Sequence, residues 1–113
     1  MKRDEEIYLK HILDAINDIE ESTNNLSKKE FDSDKDIKDA TLRRIEIIGE
    51  AAKHISSETR DKYKEIEWKK IAGTRDVLIH AYFSVDWDLV WQMIEKDIKI
   101  LKKQILNILK QFK

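Results

Sequence analysis

The feature that most constrains the fold is the near absence of residues that turn or break a chain. The 113 residues include no proline and two glycines, Gly49 and Gly73. A β-sheet protein needs turn residues at short intervals, whereas long helices need few. Of the residues, 40% are charged and 41% hydrophobic, a balance typical of helices with one apolar and one charged face. The composition therefore predicts an all-α fold.

The spacing of apolar residues predicts four main helices, at about residues 4–22, 33–55, 68–83 and 87–111. Ser27 followed by Glu30 resembles a capping box for a short helical turn, and residues 56–68 predict a short connector helix. Short connections favour antiparallel neighbours, so we expect an antiparallel up-and-down bundle of four main helices and a connector helix, forming a single domain over residues 1–113. Gly49 is small enough for another helix to approach closely. The core face predicted for the first helix comprises Ile7, Tyr8, His11, Ile12, Ala15, Ile16 and Ile19.

Composition also excludes several classes of site. The formal net charge of −1 provides no overall positive field for nucleic acid, so any RNA binding depends on a local patch. The chain has no cysteine, which excludes disulfides and thiolate metal sites, and no histidines at metal-ligand spacing. The charged N-terminus lacks the apolar run of a signal peptide, and no segment is long enough to span a membrane. We therefore expect a cytoplasmic protein with no cofactor, metal or membrane association.

The segment "RDVLIHAYF", residues 75–83, places Arg75, His80 and Tyr82 beside apolar residues. On a straight helix Arg75 and His80 would lie about 140° apart, while Tyr82 would return to within about 20° of Arg75. His80 would then lie where the helix loosens, or meet an arginine of another chain. One interpretation is a core helix with polar edge residues, in which Arg75 pairs with a glutamate of a neighbouring helix. The other interpretation is a reactive site in a cleft between subunits.

Residues 68–91, "WKKIAGTRDVLIHAYFSVDWDLVW", resemble the signature of the HepT-like proteins of the HEPN superfamily. Their motif, an arginine, four residues, a histidine, one residue and a tyrosine, matches Arg75, His80 and Tyr82. The segments "RDEEIYLKHILDAI" and "IEIIGEAAKHIS" fit the resemblance as well, which therefore covers nearly the whole chain. The connector "YKEIEW" departs from it, because many relatives have prolines there.

The resemblance implies a HEPN helical bundle that forms a homodimer and acts as a metal-independent ribonuclease toxin. It also implies a cognate minimal nucleotidyltransferase antitoxin, which silences the toxin by transferring AMP to the motif tyrosine, here Tyr82. The chemistry suits the residues, because RNA carries its own nucleophile, the 2′-hydroxyl. His80 is a natural acid or base near neutral pH, and Arg75 offers a permanently charged fork of donors to phosphate.

Two carboxylates are candidate supporting residues. Asp76 would orient Arg75 or His80, or else is an exposed helix carboxylate, and Glu50 would face the cleft. Trp68, Trp87 and Trp91 suit core or dimer contacts better than base stacking. The sequence thus predicts an RNA endonuclease toxin with Arg75 and His80 as catalytic residues. The alternative is a non-catalytic nucleotide- or partner-binding module of a nucleotidyltransferase complex.

Overall fold

The computed structural model describes residues 3–80 and 84–112, without the side chains of Arg3 and His80. The all-α prediction is confirmed, because the described residues contain only two strands, each of two residues. The elements in chain order are α1 (Arg3–Thr23), α2 (Lys28–Ser33), α3 (Lys35–Ala52), α4 (Ser57–Lys62), α5 (Trp68–Ala72), α6 (Thr74–Leu78), β1 (Ile79–His80), β2 (Ser84–Val85), α7 (Trp87–Gln92), a π-helical turn (Met93–Asp97), α8 (Ile98–Leu109) and a 3₁₀ turn (Lys110–Phe112).

Helix α1 packs against α3 and α8, and α3 also packs against α5 and α6. Most of the predicted core face of α1 is confirmed, because Ile12, Ala15, Ile16 and Ile19 are buried. Its N-terminal end was predicted wrongly, since Ile7 is 56% exposed and His11 is exposed, whereas Leu9 is fully buried. Leu9 begins the row that continues through Ile12 and Ile16, and Ile7 lies about 160° from Leu9 around the helix. Within the described residues, every helix is too short or too polar to cross a lipid bilayer.

The last helical segment, made of α7, the π-helical turn and α8, begins and ends close to the predicted range of 87–111. Val90, Ile94 and Ile98 are buried, as are Leu101 and Ile105. Steps of four residues drift by about 40° each on an α-helix. The π-helical turn Met93–Asp97, with its wider i→i+5 turn, lies where two such steps follow each other. The π-helical turn keeps the side chains of Val90, Ile94 and Ile98 on the core side of one helical segment.

The predicted third helix is wrong in its length. It is interrupted at Gly73 between α5 and α6, and it ends at Leu78 because Ile79 adopts extended geometry with φ −102° and ψ 113°. Strand β1 pairs antiparallel with β2, Ile79 opposite Val85, and the backbone N–H of Asp86 donates to the Leu78 carbonyl at 2.8 Å. The helical angle between Arg75 and His80 therefore does not apply.

Two of the predicted helix starts, those of the short turn after Ser27 and of the helix after Asp86, have side-chain caps. Ser27 Oγ accepts from the Glu30 N–H at 3.1 Å, and Glu30 Oε1 accepts from the Ser27 N–H at 2.9 Å, which completes the capping box. The backbone N–H of Ser27, followed by its hydroxyl, holds the pKa of the Glu30 carboxyl below its ordinary value. Asp86 caps α7 by accepting from the Leu89 N–H at 3.1 Å.

Candidate functional site

The position of the motif depends on a close approach between α3 and α5. A Cβ atom on Gly49 would lie 3.2 Å from the carbonyl oxygen of Ile71 and 3.5 Å from that of Ala72. The missing side chain therefore lets the backbone of α5 lie directly against α3, as its small size predicts. Because α6 follows α5 after Gly73 alone, this contact also sets the distance from α3 to the motif residues on α6.

Arg75 lies on α6 with its side chain 59% exposed. Its Nε–H donates to Oε2 of Glu46 on α3 at 3.1 Å, and the Glu46 side chain is 25% exposed. The pairing of Arg75 with a glutamate of a neighbouring helix, one of the two interpretations of the sequence, is therefore present. It leaves the guanidinium accessible, and none of the described side chains accepts from its terminal nitrogens.

Glu46 is the residue that the sequence did not single out. It lies three positions before Gly49 in the segment "IEIIGEAA", and nothing in its residue type separates it from Glu50. The signal that identifies it is the spacing from Gly49, since residues three apart share a helix face and Gly49 faces the motif segment. The spacing identifies Glu46 only when the element that packs on Gly49 is already known.

The two candidate supporting carboxylates lie apart from Arg75 in the described structure. Glu50 is exposed and pairs at 3.0 Å with Lys53, the residue that follows α3. Asp76 is exposed, and its backbone N–H donates to the carbonyl of Gly73 at 3.1 Å. Neither carboxylate has a described hydrogen bond to Arg75. Their supporting roles remain predictions.

The other two motif residues are placed only in part. The backbone of His80 belongs to β1 and pairs with Ser84 on β2, and its side chain is not described. Tyr82 lies outside the described residues. The motif thus begins on a helix with Arg75 and reaches a strand at His80. Between them Val77, also on α6, is 54% exposed.

The tryptophans serve the core, as predicted. Trp68 and Trp91 are 5% and 9% exposed, and the indole N–H of Trp68 donates to the carbonyl of Tyr63 at 3.1 Å. Trp87 is partly buried and meets Phe31 edge-on, with ring centroids 6.3 Å apart. Burial of this kind leaves Trp68 and Trp91 without an open ring face on which a base could stack.

In the described part of the chain, no three His, Cys, Asp or Glu side chains are grouped so that they could hold a metal ion. On α5, the helix before α6, Lys70 pairs with Glu67 at 3.6 Å. The arrangement at Arg75 is an exposed guanidinium, fixed at Nε and open at its terminal nitrogens. Such a group can donate two parallel hydrogen bonds to the oxygens of a phosphate.

Known proteins resemble the chain over nearly its whole length. The model of the family described as "Ribonuclease HepT-like" matches residues 12–108. A protein of Methanocaldococcus jannaschii named "gamma-glutamylcyclotransferase and putative RNase" is 48% identical over 111 residues, which are 98% of this chain and 50% of that protein. A "probable ribonuclease HepT" of Thermococcus cleftensis is 43% identical over 102 residues, 90% of this chain and 93% of that protein.

The chain spans half the length of the first of these relatives and nearly all of the second. No solved structure matches it. The matched residues 12–108 include α3 with Glu46, the whole motif segment and the start of the last helix. On this evidence the chain belongs to the ribonuclease HepT-like family.

Proposed function

We propose that the chain is an RNA endonuclease that needs no metal ion and that acts as the toxin of a toxin–antitoxin pair. The observation that carries the proposal is the exposed guanidinium of Arg75, open at its terminal nitrogens, on the helix that leads into β1 and His80. Membership of the ribonuclease HepT-like family supports the assignment of RNA as the substrate.

The proposed reaction is a transesterification within RNA. A basic group removes the proton of the 2′-hydroxyl, and O2′ attacks the adjacent phosphorus. The bond from phosphorus to the 5′-oxygen breaks, and an acidic group supplies a proton to that leaving oxygen. The products are a 2′,3′-cyclic phosphate end and a 5′-hydroxyl end. His80 is the acid or base, and Arg75 stabilises the negative charge that develops on the phosphate oxygens.

A homodimer would complete the site, because base and acid act at the same time on opposite sides of the phosphorus. Two-fold symmetry would bring two copies of His80 and Arg75 to one cleft. The exposed apolar side chain of Val77, also on α6, supports burial of the exposed part of that helix against a second copy. Sedimentation should show a dimer at micromolar concentration, and Val77→Asp should shift it to monomer with loss of cleavage. A monomeric wild type that cleaves RNA would refute the shared site.

The nuclease test is cleavage of a defined single-stranded RNA in EDTA. Wild type should cleave it and leave 2′,3′-cyclic or 3′-phosphate ends, whereas Arg75→Ala and His80→Ala should abolish cleavage without altering the helical circular dichroism. The matched controls are Arg43→Ala and His11→Ala, which remove an exposed arginine and an exposed histidine outside the motif. A strict requirement for Mg²⁺ or Mn²⁺ would contradict metal independence, and active motif variants would contradict the assignment.

Regulation by a nucleotidyltransferase antitoxin is the second part of the proposal. The Tyr82 oxygen would attack the α-phosphorus of ATP, forming a tyrosyl–AMP phosphodiester, releasing pyrophosphate and losing its proton to solvent. The added negative charge and adenine would then block the approach of RNA to Arg75. The motif resemblance supports this role, and Tyr82 itself lies outside the described residues.

The test is incubation with the cognate nucleotidyltransferase, ATP and Mg²⁺, followed by intact mass and RNA cleavage. Wild type should gain AMP and lose activity, while Tyr82→Phe should stay unmodified and active. Tyr63→Phe is the control, since the Tyr63 side chain is buried, and it should be modified like the wild type. Modification of Tyr82→Phe would refute the switch and leave the nuclease proposal intact.

A second candidate function is a non-catalytic nucleotide- or partner-binding module of a nucleotidyltransferase complex. The net charge of −1 favours it, because a protein that binds RNA through its whole surface is usually basic. Expression in a heterologous host separates the two. Growth arrest that His80→Ala relieves supports the nuclease, and unimpeded growth together with intact RNA in vitro supports the binding module.

A further inference from the structure

We propose that Glu46 is a positioning residue for Arg75, holding the guanidinium so that its terminal nitrogens face the RNA phosphate. The inference rests on the proposed ribonuclease function and adds a residue to it from outside the motif. Glu46 itself contacts neither RNA nor the reacting atoms in this role. Its contribution passes entirely through the hydrogen bond between its Oε2 and Nε of Arg75.

The atoms used by that hydrogen bond carry the argument. Guanidinium has five N–H donors in a fixed planar fork, and Glu46 takes the single donor on Nε at 3.1 Å. Two of the four donors on the terminal nitrogens, one on each nitrogen, lie side by side at the end of the guanidinium, on an edge that Nε–H does not share. A carboxylate bound at Nε therefore fixes the orientation of the fork without competing for the donors that a phosphate would use.

The environment of Glu46 suits it to this task. Its side chain is 25% exposed, whereas the side chain of Arg75 is 59% exposed, so the carboxylate is the more restrained partner. The two residues lie 29 positions apart in the sequence and join different helices. Most other described ion pairs link residues three or four apart in the sequence, such as Lys10 with Glu6 on α1, and orient nothing on another element.

The close contact at Gly49 makes the pair possible. The backbone of α5 lies against α3 at Gly49, and Glu46 and Arg75 occupy the next stretch of the same two packed segments, since α3 also packs on α6. A larger separation of the segments would lengthen the Nε–Oε2 distance directly. The glycine and the glutamate are therefore parts of one positioning device, built on α3 and acting on α6.

The experiment measures RNA cleavage by Glu46→Ala and Glu46→Gln. Loss of alignment of a charged group lowers rates by up to about a hundredfold, so Glu46→Ala should lower kcat/KM by about ten- to a hundredfold. Glu46→Gln keeps an acceptor oxygen and should lie between Glu46→Ala and wild type. The control is Asp39→Asn, which removes the carboxylate that pairs with Lys35 at 2.7 Å on the exposed face of α3, and it should match wild type.

A double-mutant cycle tests that Glu46 acts through Arg75. Lysine has no Nε–H donor at the guanidinium position and no fork to orient, so Glu46→Ala should have almost no further effect in an Arg75→Lys background. Heteronuclear NMR adds a readout of the bond itself. The Nε–H signal of Arg75 should exchange slowly in wild type and rapidly in Glu46→Ala, with the backbone spectrum otherwise unchanged.

The outcomes are distinct. If the Nε–H of Arg75 is protected in wild type but Glu46→Ala cleaves RNA as fast as wild type, the positioning role is overturned and the nuclease proposal stands. Full additivity of the two substitutions would also overturn it. If wild type binds a 2′-O-methylated RNA but cleaves no RNA, the proposed nuclease function fails. The positioning role then requires that Glu46→Ala weaken this RNA binding as Arg75→Ala does, and unchanged binding would overturn it. A wild type that neither cleaves nor binds RNA overturns both proposals.

Discussion

Replacement of Gly49 by valine should separate α3 from the motif segment and cost stability. The Cβ atom built on Gly49 already lies 3.2 Å from the Ile71 carbonyl oxygen, closer than ordinary van der Waals contact. The obstructing atom is backbone, which cannot rotate aside as a side chain can. Valine adds two methyl groups at this contact, and the two helices must move apart to admit them.

The magnitude follows from two opposing contributions. Glycine in a helix is disfavoured by about 1 kcal/mol relative to alanine, and valine recovers roughly half of that. Overpacking in a close-packed interior costs about 1–3 kcal/mol. Gly49→Val should therefore lower the free energy of unfolding by about 1–2 kcal/mol. Gly49→Ala should be nearly neutral, because a shift of a few tenths of an ångström offsets the gain in helix propensity.

The assay is equilibrium urea unfolding followed by circular dichroism at 222 nm, a wavelength that reports helix content. The matched control is Gly73→Ala, because a Cβ there would lie 3.4 Å from the Lys69 carbonyl oxygen, an ordinary contact. With φ −95° and ψ 6° at Gly73, alanine is accommodated and should raise stability by about 0.4–1 kcal/mol. Wild-type stability in Gly49→Val would refute the close-approach argument.

Three further substitutions test the buried and capping polar groups. Glu5→Ala should lower stability by about 2–4 kcal/mol, measured by urea unfolding, because the buried Glu5 carboxylate accepts from the hydroxyl of buried Thr59 and from a backbone N–H at the start of α4. Tyr63→Phe should leave stability unchanged or raise it by up to about 1 kcal/mol in thermal unfolding, since the Tyr63 hydroxyl is buried without a described partner. Glu30→Gln should lower the thermal midpoint at pH 7. Because the pKa of Glu30 is lowered in the fold, its carboxylate stabilises the fold above the ordinary value near 4.5. This contribution disappears as pH falls through the lowered pKa, so the two proteins should converge below that pKa.

Helix periodicity predicted the buried residues correctly where a single row of apolar side chains faces the core. In the last helical segment Val90, Ile94 and Ile98 are consecutive members of one row and are all buried. In α1 the same reasoning chose the wrong row at the N-terminal end, because Ile7 and Leu9 both extend an apolar pattern. What decides between them is the buried Glu5, one turn before Leu9. A carboxylate on the core face is invisible to a hydrophobicity pattern.

Helix periodicity could not predict where α6 ends, for a different reason. Val77, Leu78 and Ile79 form an apolar run that suits a helix or a strand equally. The run changes from helix to strand at Ile79, because Val85 pairs with Ile79 and the Asp86 N–H bonds to the Leu78 carbonyl. Both partners follow residues 81–83 in the sequence, so the helix end depends on a strand pairing that the apolar run by itself does not reveal.

Because α6 ends at Leu78, Arg75 lies on a helix and the backbone of His80 on a strand, and different contacts hold the two residues. Arg75 is oriented from α3 through Glu46, whereas the backbone of His80 is held by Ser84 on β2. Asp86 links the end of α6 to the start of α7, because its N–H donates to the carbonyl of Leu78 and its side chain caps α7. The two motif residues therefore depend on different supports, one a carboxylate and one a backbone ladder. Changes at α3 should act on Arg75 and leave the backbone of His80 in place, which is why Glu46 can be tested without rebuilding the strand pair.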